Sequence, residues 1–68
     1  MKFEKELKHV LSFPDGEEKE GRLKAIIDLN EGNIYNENRA KHIVDGKRPG
    51  WRYWDAYLDT YEVLKEKI

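Results

Sequence analysis

The chain has 68 residues, 13 Lys/Arg against 14 Asp/Glu for a formal net charge of −1, 38% hydrophobic and 40% charged residues, and no cysteine. That length allows a single domain with one small core, and the missing cysteines exclude a disulfide framework and cysteine-ligated zinc. No apolar run reaches the roughly 18 residues of a membrane span, and Met1–Leu11 alternates charges where a signal peptide would be apolar. A cytoplasmic protein with no membrane partner is therefore expected.

Without a cross-link, stability has to come from aromatic side chains, well-formed helices or a second copy of the chain, so a homodimer stays open. Two tryptophans and four tyrosines are the largest apolar resource, each able to bury roughly 150–250 Å².

Residues 2–12 predict a short amphipathic helix. Phe3, Leu7, Val10 and Leu11 fall on one face, and Glu4–Lys8 is an i,i+4 pair of favourable orientation. The alternative is a strand through Leu7, His9, Leu11 and Phe13. Pro14 and Asp15-Gly16 end the element in either case.

The block Leu23–Leu29 fits two periods. Leu23, Ile26 and Ile27 suit a helix, whereas Leu23, Ala25, Ile27 and Leu29 alternate as in a strand. Glu17, Glu18 and Glu20 favour a helical first turn at the positive end of the helix dipole. Gly21 costs about 1 kcal/mol inside a helix, which predicts a start near that residue. Gly32 is the expected C-terminal cap.

Asn36 or Asn38 is positioned to cap a third helix reaching about Val44, with Asp45-Gly46 ending it. Pro49-Gly50 then separates it from Trp51–Ile68, the clearest helix of the chain. Trp54, Leu58, Tyr61, Leu64 and Ile68 trace one apolar stripe; Tyr53, Tyr57, Tyr61 and Leu64 trace its neighbour. The expected fold is all-α, a compact bundle of three to four short helices. The alternative is α+β with a hairpin around residues 23–35.

Catalysis finds little support. Ser12 and Thr60 are the only hydroxyl nucleophiles of their kinds, and His9 near Ser12 has no orienting third group. Asp55, Asp59 and Glu62 form a ridge that reads as a solvated helix face rather than paired acid–base groups. Asp28-x-Asn30-x-Gly32 begins like a calcium loop but lacks the late bidentate glutamate. Gly46–Gly50 lacks the spacing of a phosphate loop. No enzyme, metal or other cofactor is expected.

Charge is concentrated in one window. Residues 39–52 hold Arg39, Lys41, Lys47, Arg48 and Arg52 against Asp45 alone, a balance of +4 in a chain of net charge −1. Together with His42 these cations form a candidate nucleic-acid surface, on which Trp51 would stack with a base. The competing expectation is a protein-binding module, inhibitor or adaptor, with Trp51, Tyr53 and Tyr57 as its contact residues, since Trp, Tyr and Arg dominate binding hot spots.

The run Ile43-Val44-Asp45-Gly46-Lys47-Arg48-Pro49, followed by an amphipathic helix, resembles the end of lambda-repressor/Cro-like helix-turn-helix domains. The resemblance implies Asn36, Asn38, Arg39 and His42 on a groove-facing helix, Lys47 and Arg48 on backbone phosphates, and transcription control by a dimer. It is confined to residues 43–49 and the helix after them. Upstream, Ile34 stands where the family carries glycine, and Asn30 where it carries a buried alanine.

Overall fold

The computed structural model describes residues 1–34 and 39–68. Three α-helices follow one another: α1 (Glu4–Leu11), α2 (Glu17–Glu31) and α3 (Trp51–Lys65), with a 3-10 turn at Arg39–Lys41 between the last two. The described residues hold no strand and three short α-helices, so the fold is an all-α bundle. The most extensive contact is between α2 and α3, and α1 packs on α2.

α1 forms where its charges match the helix dipole, Glu4 and Glu6 in the first turn and Lys8 and His9 in the last. It buries Val10 and leans Phe3 and Leu7 on the core. Leu11, expected on the same face, is exposed. Ser12 ends the helix, its hydroxyl donating to the His9 carbonyl at 2.6 Å.

α2 resolves the ambiguity of residues 23–35 as far as Glu31: that stretch is helical, and the hairpin alternative is set aside. The helix starts at Glu17, one turn before the expected Gly21. Gly21 lies inside it and is buried, because a Cβ there would overlap the Tyr53 carbonyl oxygen and sit 3.1 Å from the Tyr57 nitrogen. The missing side chain lets α3 approach α2, and that packing outweighs glycine's helix penalty. Gly32, left-handed at φ 75°, and Asn33 close a Schellman motif. Asn33 N–H donates to the Asp28 carbonyl at 2.8 Å, and Gly32 N–H to that of Leu29 at 3.4 Å.

α3 buries Tyr53, Ala56, Tyr57, Thr60 and Leu64, one continuous stripe. Tyr53, Tyr57 and Tyr61 stack in succession, centroids 6.2 and 5.7 Å apart and planes within 17° and 16°. The core has two clusters. Val10, Ile26, Leu29 and Leu64 make one; Ala25, Tyr53 and Tyr57 make the other, with Val44 and Trp54 packed against it. Ile68, expected on the first stripe, is exposed.

The expected third helix is corrected over its described part. Residues 39–41 make a single 3-10 turn, closed by His42 N–H to the Arg39 carbonyl at 3.2 Å. Val44 and Lys47 then pair across a two-residue turn, exchanging hydrogen bonds of 2.9 and 3.0 Å. Asp45 and Gly46 both have positive φ, 53° and 76°, the pattern of a type I′ turn, for which Asp-Gly is a preferred pair. The β-branched pair Ile43-Val44 feeding an Asp-Gly turn favours extended backbone over helix. The proposed caps Asn36 and Asn38 lie outside the described residues.

Two cross-helix contacts tie α3 to α2, one at its head and one further along. Gly50, its N-cap, has no side chain to satisfy the helix's first N–H groups. Glu17 reaches over from the start of α2, and its Oε2 accepts the Gly50 N–H at 2.8 Å, setting an anion at the positive end of the α3 dipole. Arg22 links the same helices, Nη1 donating to Thr60 Oγ1 at 3.2 Å and Nη2 pairing with Glu18 Oε2 at 3.2 Å.

Candidate functional site

The site begins with a buried polar network between α2 and α3. Asp28 is fully buried on α2. Tyr57 Oη donates to Asp28 Oδ2 at 2.5 Å. His42, 2% exposed, follows the 3-10 turn and drops between the helices. Its Nδ1 lies 2.7 Å from Tyr53 Oη. Its Nε2 comes within 3.2 Å of Asp28 Oδ2 without an aligned hydrogen bond. With Tyr53 donating to Nδ1, the ring proton is on Nε2, facing the carboxylate.

Burial sets the protonation states. Desolvation lowers the His42 pKa from 6.5, with Lys24 pushing the same way and Asp28 opposing, so the imidazole is neutral at pH 7. Desolvation, reinforced by Asp28, raises both Tyr53 and Tyr57 above the usual tyrosine value. Both phenols therefore keep their protons as hydrogen-bond donors.

This network holds an aromatic wall. His42 stacks on Trp54, centroids 4.9 Å apart and planes 21° apart. The Arg39 guanidinium lies over the Trp54 ring at 4.9 Å, a cation–π contact. Beside this wall opens a cleft of about 390 Å³, lined by Arg39, Arg48, Pro49, Trp51 and Trp54 with a contribution from His42. Trp51, the first residue of α3, is 73% exposed, and the Arg52 guanidinium lies 5.5 Å from its ring centre. On its other side Trp51 borders a hollow lined by Glu18, Arg22, Arg52, Asp55 and Asp59. Trp51 thus borders both a basic cleft and a hollow of mixed charge, three carboxylates against two guanidinium groups.

The predicted site residues are distributed unevenly. Arg39, Arg48 and Trp51 meet in the basic cleft, whereas Arg52, beside the Trp51 ring, lines the other hollow. Lys47 lies in a neighbouring hollow with Arg48 and Glu17. Lys41 lines a different one with Glu20, Lys24 and Ile43. Three expectations are corrected. The His42 side chain is buried and unable to meet a phosphate. Tyr53 and Tyr57, 2% and 0% exposed, are core residues and not partner contacts.

Two residues of this arrangement carry no site role in the sequence reading. Trp54 was expected only in the core, yet it is half-buried and walls the cleft. Asp28, the first residue of the calcium-loop-like pattern, instead accepts the Tyr57 hydroxyl and faces His42. Asn30, the next residue of that pattern, is engaged with Lys2, its Oδ1 accepting the Lys2 N–H at 2.7 Å. A signal for Asp28 was present in the spacing Gly21, Ala25, Asp28, Leu29, a helix face that carries the carboxylate inward with its apolar neighbours.

Among the described residues, no helix is long and apolar enough to cross a membrane. Comparisons with protein-family models, with curated proteins and with solved structures find no match.

Proposed function

We propose that this domain is a small, non-enzymatic regulatory module that binds nucleic acid through the cleft between Arg39, Arg48 and Trp51. The observation that carries the reading is Trp51, largely exposed at the edge of a cleft whose lining includes two guanidinium groups. Guanidinium groups recognise phosphate by charge and paired donors, and an indole face accepts any base by stacking. A locally basic window on a chain of net charge −1 also confines a polyanion to one side.

The groove-facing segment of the helix-turn-helix resemblance is not carried into the proposal. Over residues 39–44 the chain has a three-residue 3-10 turn, then a bridge residue at Val44 and no α-helix, and His42 is buried. Base contact is assigned to Trp51 instead. The protein-partner reading retains Trp51 but loses Tyr53 and Tyr57 to the core. A chain without cysteine suits a reducing, cytoplasmic setting.

The test is fluorescence anisotropy of a labelled random-sequence oligonucleotide at about 50 and 200 mM salt. Micromolar binding that weakens steeply with salt, and that falls in an Arg39→Ala/Arg48→Ala protein of unchanged circular dichroism, is the expected result. No binding at the lower salt excludes the reading.

A further inference from the structure

Resting on that reading, we infer that the occupant of the cleft is an unpaired nucleotide in a single strand, and not duplex DNA. Three features carry the inference. The cleft holds about 390 Å³, near the lower end of ligand pockets and on the scale of one nucleotide. Its exposed recognition group is the Trp51 ring, whose face is useful only to a base with a face of its own to offer. Bases inside a duplex are stacked on both faces and present only their edges in the grooves.

The third feature is the charge on either side of Trp51. Arg39 and Arg48 line one hollow with no carboxylate beside them; the other sets Glu18, Asp55 and Asp59 against Arg22 and Arg52, a balance of −1. A duplex laid over Trp51 would bring its second phosphate rail towards those carboxylates. A single strand has one rail and can follow the basic side alone. Between Arg39 and Gly50 the described window has no helix beyond a three-residue 3-10 turn, and Trp51 and Arg52 open α3.

The cleft is built before any ligand arrives. Trp54 is stacked on buried His42, which Tyr53 bonds from below the surface, and Arg39 lies over the indole. Pre-placed walls reduce the ordering cost of binding. Backbone phosphate would meet Arg39 and Arg48 while the base stacks on Trp51.

The experiment compares labelled oligothymidylate, oligouridylate and a random-sequence duplex of equal length, by anisotropy at about 50 mM salt. One or both single strands are expected to bind at least about tenfold tighter than the duplex, and Trp51→Ala to remove about tenfold of that affinity, the scale of one stacked base. Trp51→Phe should restore most of it. The preferred strand identifies DNA or RNA as the source. Duplex binding as tight as either strand, or single-strand binding indifferent to Trp51→Ala while Arg48→Ala weakens all three, overturns the unpaired-base inference and leaves the basic-cleft reading standing. No binding of any probe overturns both. Because Trp51 is exposed, its replacement leaves the core intact, and circular dichroism verifies that.

Discussion

The Tyr57 hydroxyl donates to Asp28 at 2.5 Å, both side chains sealed between α2 and α3, and the same carboxylate oxygen faces His42 at 3.2 Å. One acid thus joins the two long helices to the segment that carries the basic window. In an Asp28→Ala protein the buried Tyr57 hydroxyl would lose its acceptor and His42 the carboxylate it faces. A loss of about 3 kcal/mol is expected, visible as a lower urea midpoint, against about 1 kcal/mol for Tyr57→Phe, which leaves His42 beside the acid.

Gly21→Ala tests the close approach of the helices. Alanine gains up to about 1 kcal/mol over glycine in an isolated helix. Here its Cβ meets backbone of α3, which has no rotamer to yield. Overpacking of this kind costs about 1–3 kcal/mol, so the melting temperature should fall by several degrees. A rise would mean that α2 and α3 sit further apart.

Stability should decline on both sides of neutrality for separate reasons. His42 has a folded pKa below its unfolded value of 6.5, so the unfolded chain takes up the proton first. Its contribution is complete above pH 6.5 and is lost as pH falls from there through the folded pKa. Tyr53 and Tyr57 have folded values raised above 10.0. Their contribution is complete below that pH and is lost as pH rises through the folded values. Chemical denaturation across pH should show both limbs, and His42→Gln should flatten the acid limb below 6.5 while lowering stability throughout.

The cations of the window should separate by position. Arg48 lines the cleft beside Trp51, whereas Lys41 lies with Glu20 and Lys24 in another hollow. Arg48→Ala is expected to weaken oligonucleotide binding and reduce the salt slope by about 1, the signature of one lost phosphate contact. Lys41→Ala should leave the slope nearly unchanged. Equal effects would indicate diffuse attraction to the whole window and no defined cleft.

The helical class, the cap at Gly32 and the long C-terminal helix were legible in the sequence because each rests on local chemistry: apolar period, a left-handed glycine, a Pro-Gly break. The start of α2 was not, since Gly21 reports a tertiary contact with Tyr53 that no local pattern encodes. Residues 39–47 misled because Ala40, Ile43 and Val44 fit a helical spacing, while the Asp45-Gly46 turn, which prevailed, also fits a helix stop. At the candidate site, the charge of the window was readable. The inward turn of His42 and the burial of Tyr53 and Tyr57 were not, because they depend on Asp28 sitting opposite them on another helix. A polar residue whose partners are remote in sequence gives no periodic signal of its role.

Amide and indole chemical shifts of the labelled protein, followed as an unlabelled single-stranded oligonucleotide is added, test the central claim most directly. The account predicts that the largest changes fall on Arg39, Arg48, Gly50, Arg52 and the Trp51 indole N–H, with α1 and the C-terminal half of α3 unmoved. Shifts that are absent, or that gather around α1 and the end of α3, would contradict it.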